Sequence, residues 1–429
     1  MGEYHIRGMN PLRGKISPGG SKNAVLPILA AAVLNGGKSV IFGCPDISDT
    51  HIALKILRAL GCKADFNDGV ITVDSEDLKC TTVPQEYIKK MRSSIIFMGS
   101  LLGRAGAAVV SHPGGCDLGE RAIDYHIKAL LKMGAVIRED AGILHCRADG
   151  LTGQHIIFDT PSVGATENVM LAAVLAKGET VVTNAAREPE IVDLQNFLLG
   201  MGAKVAGAGT ERIVINGVTK LRDTQHTVIP DRIVAGTFLT AAAITGGEIT
   251  LTNVVPEHIY PIYTRLAEAG CTVKEEEDRI HLRAPKRLVS IDSLTTLPHP
   301  GFPTDMHQPF TSMLSIAKGS CIIKETLFDA RNKHIPELRR MGAEILTLSS
   351  CSSYIVRGVK TLSGATVEAK DLRGGAALIL AGLAAHGKTV VKESHHIERG
   401  YERIEQSLAS LGADIELKPS ESEEITQPS

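Results

Sequence analysis

Charged side chains recur at one repeated position of this 429-residue chain. The position lies 14 to 16 residues before each glycine that ends a predicted helix, and its occupants are Lys22, Arg92, Ser162, Arg232, Asp305 and Arg373. Helix capping explains Ser162 and is one explanation for Asp305 and for Asp231 and Asp371 beside the cations. It does not explain Lys or Arg, because a cation at a helix start opposes the helix dipole. Since guanidinium forks and helix N-termini bind phosphate and carboxylate, the pattern favours a small-polyanion site over scattered surface charge.

A glycine-rich loop carries a second candidate group, Cys116, with Arg121 five residues further on. Glycines before the cysteine leave the thiol uncrowded and the loop mobile, and a nearby guanidinium favours the thiolate. Asp117 and Glu120 oppose it. The alternative is a small, inert core cysteine, as we expect for most of the eight. Because mobile loops over clefts often carry function, the pattern favours a reactive cysteine.

Two further patterns suggest chemistry that their context does not support. Residues 382–389 match the phosphate-loop consensus, but they are predicted to end a helix and open a strand, the reverse of a true phosphate loop. His395 and His396 have no partner at metal-ligand spacing. We therefore expect no cofactor and no metal.

The secondary-structure elements that carry these residues repeat six times along the chain. A phrase of a usually bulky residue, Gly and a small residue recurs roughly every seventy residues, at Gly61, Gly134, Gly202, Gly270, Gly342 and Gly412. Between these glycines the periodicity predicts a β-α-β-α-β-β unit. One such unit is small for a stable core, so three should pack together.

The repeats predict an α/β protein of two similar three-unit domains with a cleft between them. We expect domain 1 to comprise residues 1–21 and 230–429 and domain 2, with the Cys116 loop, residues 22–229. The N-terminal strand should join the last three units, and residues 418–429 resemble a flexible tail.

Composition excludes several classes of function. The net charge of −2 provides no basic field for nucleic acid, and no apolar run is suited to span a bilayer. The dispersed cysteines, without a CxxC pair, fit a reducing cytoplasm. We therefore expect a cytoplasmic protein whose partners are small molecules.

Seven phrases in order resemble the UDP-N-acetylglucosamine 1-carboxyvinyltransferases, the enolpyruvyl transferases that open bacterial peptidoglycan synthesis. The phrases lie at residues 20–24, 113–116, 121–126, 302–306, 334–338, 371–375 and 399–402, and the resemblance runs from about Pro11 to Leu417. It implies a two-domain inside-out α/β barrel fold of the enolpyruvyl transferase type, with three units per domain. This agrees with the repeats.

The resemblance also implies a reaction and residue roles. The enolpyruvyl group of phosphoenolpyruvate moves to the 3′-hydroxyl of UDP-N-acetylglucosamine by addition and elimination, and phosphate leaves. Cys116 is implied as general acid and site of a covalent adduct, and Asp305 as base. Lys22, Arg121 and Arg399 would hold the phosphate, Arg331 and Arg373 the carboxylate, while Asn23 and Asp371 orient the reacting centre. The implied sugar-nucleotide residues are Arg92, Arg121, Ala122, Ile123, Asp124, Tyr125, Ser162, Val163, Gly164, Asp305 and Leu327.

The chain departs from the family's sequence pattern at two positions. Ala122 replaces the usual Pro after the loop Arg, and Thr160 stands where some relatives have Lys. The alternative enzyme is 5-enolpyruvylshikimate-3-phosphate synthase, which shares the architecture and phosphoenolpyruvate but uses no loop cysteine. A non-catalytic paralogue that binds sugar nucleotide, and a purely structural scaffold, are the alternatives of a different class.

Overall fold

The computed structural model describes residues 2–112, 123–348 and 352–419, which form two compact units. Unit 1 holds the described residues up to Gly19 and from Pro230 onward, and unit 2 those from Gly20 to Ile229. The chain passes from unit 1 to unit 2 after Gly19 and returns after Ile229. Each unit has its own hydrophobic core.

Thirteen helices lie in the part of the chain that the structure describes. Those of unit 2 are α1 (Lys22–Ala31), α2 (Ser48–Ala59), α3 (Gln85–Lys90), α4 (Phe97–Ala105), α5 (Asp124–Lys132), α6 (Val163–Ala173) and α7 (Pro189–Gly200). Those of unit 1 are α8 (Arg232–Ile244), α9 (Pro256–Glu268), α10 (His307–Leu314), α11 (His334–Arg340), α12 (Leu372–Ala384) and α13 (Ile404–Ser410). Short 3-10 helices span Arg92–Ile96, Thr304–Met306 and Ser394–His396.

The strands are short and numerous. The first thirteen are β1 (Gly2–Arg7), β2 (Arg13–Ile16), β3 (Lys38–Phe42), β4 (Lys63–Asn67), β5 (Val70–Asp74), β6 (Ala107–Ser111), β7 (Val136–Asp140), β8 (Ile143–Arg147), β9 (His155–Ile157), β10 (Glu179–Thr183), β11 (Lys204–Ala206), β12 (Arg212–Asn216) and β13 (Thr224–Thr227). The rest are β14 (Glu248–Thr252), β15 (Thr272–Glu276), β16 (Arg279–Arg283), β17 (Ser293–Thr295), β18 (Ser320–Lys324), β19 (Glu344–Thr347), β20 (Ser353–Arg357), β21 (Leu362–Ser363), β22 (Thr366–Glu368), β23 (Ala385–His386), β24 (Lys388–Lys392) and β25 (Asp414–Pro419).

The predicted repeat is confirmed by the order of these elements, and five of the six main sheets share one plan. The order β13-β3-β5-β4 illustrates it: β13 runs parallel to β3, and the β4–β5 hairpin continues the sheet antiparallel. The orders β9-β10-β12-β11, β2-β14-β16-β15, β17-β18-β20-β19 and β22-β24-β1-β25 follow it, and β6-β8-β7 has three strands. The sheets are separate, and none of those described closes into a barrel.

The N-terminal strand completes the last sheet of unit 1, as the sequence predicted. β1 pairs antiparallel with both β24 and β25, with Tyr4 opposite Val391 and Ile6 opposite Ile415. The sixth repeat therefore takes one strand from the chain start, which differs from the self-contained β-α-β-α-β-β unit we expected. Lys418 and Pro419 belong to β25, so the strand includes two residues that we had assigned to the tail.

Three helices of each unit are buried on almost all sides. In unit 1 these are α8, α10 and α12, which pack against one another, and in unit 2 they are α1, α4 and α6. Helices α1, α8 and α12 have runs of apolar residues on almost all sides, as a helix in the middle of a core requires, whereas α10 also buries polar side chains such as His307 and Gln308. The starts of these six helices, or of the 3-10 turns leading into two of them, are the repeated position found in the sequence.

Candidate active site

All six residues of the repeated position lie at helix starts, as predicted. Lys22 and Arg232 are the first residues of α1 and α8, Arg373 is the second residue of α12, and Ser162 immediately precedes α6. Arg92 and Asp305 lie in the 3-10 turns that lead into α4 and α10.

Helix capping accounts for three polar residues at these starts. Ser162 Oγ accepts from the Ala165 N–H at 3.4 Å, and a carboxylate oxygen of Asp231 accepts from two backbone N–H groups at 2.8 and 3.0 Å. Asp371 Oδ1 likewise accepts from the N–H groups of Arg373 and Gly374. Capping is the wrong explanation for Asp305, which makes no side-chain cap.

The Asp305 carboxylate instead lies between two guanidinium groups. Arg331 Nη2 donates to Oδ1 at 2.6 Å, while Arg373 donates to Oδ2 through Nε at 3.1 Å and Nη2 at 3.0 Å. Both arginine side chains are nearly inaccessible, at 5 % and 2 % exposure, and the Asp305 side chain keeps 22 %. The tertiary fold therefore joins a predicted base to both predicted carboxylate ligands.

This arrangement sets the charges of the group. Burial alone would raise the pKa of Asp305, but the Arg331 and Arg373 guanidiniums outweigh it and hold that pKa well below its usual range. Burial would lower the pKa of Arg373, yet Tyr401, Asp305 and Asp231 together raise it. Asp305 and Arg373 are thus both charged at neutral pH.

The two arginines retain donors beyond those given to Asp305. Arg331 Nε and Arg373 Nη1 are buried and have no hydrogen-bond partner among the described residues. Arg373 also stacks over the Tyr401 ring, 5.1 Å from its centroid, and Tyr401 shares a hydrogen bond with Thr237. A rigid pair of partly unsatisfied guanidinium groups can bind a carboxylate from a small molecule.

Asp371 is supported from behind by a buried polar cluster. Gln308 Nε2 lies 3.2 and 3.3 Å from the two Asp371 oxygens and 3.4 Å from His334 Nδ1. Burial and the nearby Arg331 charge lower the pKa of His334, although Asp371 opposes them. The Asp371 carboxylate therefore has a fixed position at the start of α12.

Arg331 has a second polar anchor, which sequence reasoning missed. Arg331 Nη1 donates to Thr304 Oγ1 at 2.9 Å, and that hydroxyl donates to Glu325 Oε2 at 2.7 Å. The other oxygen of Glu325 accepts from the N–H of Leu327, a predicted sugar-nucleotide residue, at 2.7 Å. The only signal in the sequence was a glutamate directly after strand β18, whose residues alternate between exposed and buried.

In unit 2, the predicted cation Lys22 forms an ion pair with a carboxylate. Its Nζ lies 2.7 Å from Asp49 Oδ2, and both side chains are nearly buried, at 11 % and 2 % exposure. Asn23 follows Lys22 in α1 and is half-buried, as is Arg92.

A second polar cluster in unit 2 lies beside Ser162, Val163 and Gly164. Asn168 bridges His126 Nδ1 at 2.8 Å, the Gly99 N–H at 2.6 Å and the Ile95 carbonyl at 3.1 Å. A side chain at Gly164 would come within 3.2 Å of the His126 ring. Burial, and then Arg92, lower the pKa of His126 to about 4, so its ring is neutral at pH 7.

Other predicted residues are placed with less detail. The Tyr125 ring contacts that of Phe158 with 5.6 Å between centroids, Asp124 pairs with Lys128 on α5, and Ile123 is buried. Arg399 is half-buried after the 3-10 turn Ser394–His396. Cys116, Arg121 and Ala122 lie outside the described residues.

The phosphate-loop match is placed as its context predicted. Residues 382–389 run from the end of α12 through β23 into the start of β24, so the segment ends a helix and opens a strand. No group of three or more His, Cys, Asp or Glu that could hold a metal ion occurs in the described part of the chain. Nor does that part contain a helix with the length and apolar character needed to cross a membrane.

Similar proteins of known family identify the family of this chain. A family model described as EPSP synthase (3-phosphoshikimate 1-carboxyvinyltransferase) matches residues 6–408. A UDP-N-acetylglucosamine 1-carboxyvinyltransferase 2 from Caldanaerobacter subterraneus subsp. tengcongensis is 51 % identical, over 97 % of this chain and 99 % of that protein. The protein of the same name from Carboxydothermus hydrogenoformans is 46 % identical, over 97 % and 99 %.

Solved structures agree on the fold. The enolpyruvyl transferase NikO from Streptomyces tendae superposes with a TM-score of 0.87 at 25 % identity, over 98 % of this chain and 99 % of that one. An EPSP synthase from Acinetobacter baumannii has a TM-score of 0.76 at 19 % identity, over 98 % and 100 %. The family model, the similar relatives and the fold agree. This chain therefore belongs to the EPSP synthase family of carboxyvinyltransferases, and within that family to the UDP-N-acetylglucosamine 1-carboxyvinyltransferases.

Proposed function

We propose that this protein transfers the enolpyruvyl group of phosphoenolpyruvate to the 3′-hydroxyl of UDP-N-acetylglucosamine and releases phosphate. This would be the first committed step of peptidoglycan precursor synthesis. The observation that carries the proposal is the Asp305 carboxylate held between Arg331 and Arg373, a base beside a pair of cations suited to a carboxylate. Relatives at 46 and 51 % identity are named for this transfer, which selects it over the shikimate reaction.

The carboxylate of phosphoenolpyruvate would bind Arg331 and Arg373, in competition with Asp305. Once the two guanidiniums turn toward the substrate, they stabilise the charged form of Asp305 less, and its pKa rises. Asp305 then becomes a stronger base, close to the place where a sugar hydroxyl would lose its proton. Substrate binding and activation of the base are coupled in this proposal.

The addition step uses a base and an acid. Asp305 takes the proton of the 3′-hydroxyl, the oxygen attacks C2, and C3 gains a proton from the Cys116 thiol. In the elimination step C3 returns a proton to the Cys116 thiolate, the C2–C3 double bond re-forms, and the bond from C2 to the phosphate oxygen breaks as phosphate leaves. The thiolate of Cys116 can also attack C2 and form a covalent adduct.

The remaining charges of phosphoenolpyruvate require cations at its phosphate. We assign these to Lys22, Arg121 and Arg399. Preorganised donors of this kind stabilise charge that develops in the transition state. Asn23 and Asp371 would orient the reacting centre.

The sugar nucleotide would bind through the residues that the family resemblance implies. The proposed set comprises Arg92, Arg121, Ala122, Ile123, Asp124, Tyr125, Ser162, Val163, Gly164, Asp305 and Leu327. The His126–Asn168 cluster supports it, since it holds the start of α5 against α6 and the turn before α4. We further propose a cytoplasmic location, in keeping with the dispersed cysteines.

A phosphate-release assay on two substrate pairs tests the function. Release is expected with phosphoenolpyruvate plus UDP-N-acetylglucosamine, and none with either compound alone. Release with phosphoenolpyruvate plus shikimate 3-phosphate instead would assign the protein to the alternative enzyme. No release with either pair would support a non-catalytic binding protein, which equilibrium binding of UDP-N-acetylglucosamine would then test.

A further inference from the structure

We infer that Glu325, acting through the Thr304 hydroxyl, positions Arg331 for the substrate carboxylate. Neither residue belongs to the set implied for the reaction, and neither is expected to touch substrate. The inference rests on one part of the proposed function, the binding of the phosphoenolpyruvate carboxylate by Arg331.

Glu325 is a buried carboxylate surrounded by donors. Its side chain is 3 % exposed. Oε1 accepts from Thr296 Oγ1 at 3.0 Å and from the N–H groups of Leu327 and Phe328 at 2.7 and 3.1 Å. Oε2 accepts from Thr304 Oγ1 at 2.7 Å. Both oxygens of this side chain therefore act as hydrogen-bond acceptors.

The Thr304 hydroxyl has a defined direction because of Glu325. It donates its single proton to Glu325 and so presents a lone pair to Arg331 Nη1, 2.9 Å away. Thr304 precedes Asp305 in the same 3-10 turn. The turn that carries the proposed base therefore also fixes one of the two guanidiniums that the base faces.

Glu325 supports Arg331 through a second contact. The Phe328 ring lies 5.4 Å from the Arg331 guanidinium carbon, and the Phe328 backbone N–H is bound to Glu325 Oε1. The contacts of Arg331 with Thr304 and Phe328 thus both depend on Glu325. They matter most during the reaction, because the substrate carboxylate then replaces Asp305 and the ion pair no longer holds Arg331.

A glutamine at position 325 cannot reproduce this arrangement. If its amide oxygen faces the Thr296, Leu327 and Phe328 donors, its NH2 group faces Thr304, whose hydroxyl proton loses its acceptor. If the amide is reversed, the NH2 group faces two backbone N–H groups. In either orientation one set of buried donors is left unsatisfied, which carries an energetic penalty.

The test compares Thr304→Val, Thr304→Ser and Glu325→Gln in steady-state kinetics. Thr304→Val keeps the size of the side chain but removes the hydroxyl, so the KM for phosphoenolpyruvate should rise about tenfold or more, the value of one hydrogen bond to a charged group. The KM for UDP-N-acetylglucosamine should change little. Thr304→Ser should restore the wild-type value, and Glu325→Gln should resemble Thr304→Val.

The pH profile of kcat, which reports groups of the substrate complex, supplies a readout that a merely structural role would not change. A loosened Arg331 stabilises the Asp305 carboxylate less, so the pKa of Asp305 rises and the acidic limb moves to higher pH in Thr304→Val. Arg331 and Arg373 are the charged groups that set this limb, since burial lowers the pKa of the nearby His307 and keeps it neutral.

Thr326→Val is the matched control. Thr326 is next to Glu325, but its hydroxyl donates to the Thr296 carbonyl, away from Arg331. Wild-type kinetics and an unmoved acidic limb are expected for it. The inference fails if Thr304→Val behaves like wild type, if Thr304→Ser is impaired as much as Thr304→Val, or if Thr326→Val gives the same shifts.

A thermal-shift experiment separates this inference from the proposed function. Phosphoenolpyruvate alone should raise the Tm of wild type more than that of Thr304→Val at equal concentration. If wild type releases no phosphate with either substrate pair but this difference persists, the proposed function fails and the role of Thr304 stands. Equal shifts would overturn the role of Thr304.

Discussion

Replacing Asp305 by Asn isolates the charge at the centre of the proposed site. The substitution keeps the size of the side chain but removes the carboxylate that both Arg331 and Arg373 bind. The amide can accept from one arginine only, because its NH2 group faces the donors of the other. Turnover should be lost with the base, and two buried cations should be left without their counter-charge.

The magnitude follows from burial. Removing one partner from a buried ion pair costs about 3–5 kcal/mol. The Asp305 side chain keeps 22 % exposure while the arginines keep 5 % and 2 %, so we take the lower end, about 3 kcal/mol. A domain of roughly 200 residues loses about 2–4 °C of Tm per kcal/mol. The Tm of Asp305→Asn should therefore fall by about 6–12 °C.

Phosphoenolpyruvate should reverse much of this loss. Its carboxylate supplies the missing charge, and a ligand at a hundred times its Kd stabilises a protein by about 2.7 kcal/mol. In wild type the same carboxylate must first displace Asp305, so the gain at equal concentration is smaller. The assay is thermal unfolding with increasing phosphoenolpyruvate and no sugar nucleotide, so that wild type cannot turn over.

Glu344→Gln serves as the control for removing a carboxylate from unit 1. Glu344 pairs with Arg357 at 2.9 Å, but both side chains are about half exposed, at 51 % and 53 %. An exposed pair contributes about 0–1 kcal/mol, so the Tm and the response to phosphoenolpyruvate should stay near wild type. A Tm of Asp305→Asn equal to that of wild type, or an equal phosphoenolpyruvate response in both, would refute the reasoning.

Two further predictions concern unit 2 and the loop. Cys116→Ser should lose most turnover and should no longer be alkylated by an epoxide phosphonate that mimics phosphoenolpyruvate; unchanged labelling of the variant would remove Cys116 from the site. His126, whose folded pKa of about 4 lies below its ordinary 6.5, contributes stability that is complete above pH 6.5 and is lost as pH falls toward 4. That interval corresponds to roughly 3 kcal/mol, so denaturant unfolding of His126→Gln should show a flatter pH dependence there. An unchanged slope would contradict the burial argument.

Much of the local organisation was predictable from sequence because its signals are local. A glycine that ends a helix, an apolar run and a charged residue at a constant offset lie within one repeat, so the starts of α1, α8 and α12 were found without tertiary information. The order of helix and strand at residues 382–389 likewise followed from periodicity and ruled against a phosphate loop.

The contacts within the site were harder to predict from the sequence. Capping seemed equally suitable for Asp305 and Asp371, because both are aspartates at a helix start. Only burial beside two guanidiniums distinguishes them, and Arg331 and Arg373 lie 26 and 68 residues from Asp305 along the chain. Thr304 and Glu325 were missed for the same reason, since their roles consist of contacts across the fold.

Four features could be predicted without the structure: the six-fold repeat, the α/β class, the family and the types of charged residue at the helix starts. These depend on short-range periodicity and on the chemistry of individual side chains. The tertiary structure decided which charges meet, which hydroxyl directs Arg331, and which strand β1 completes. The physical reason is that partners far apart in sequence are selected by burial, where an unpaired charge or donor is costly and only the folded chain can supply its counterpart.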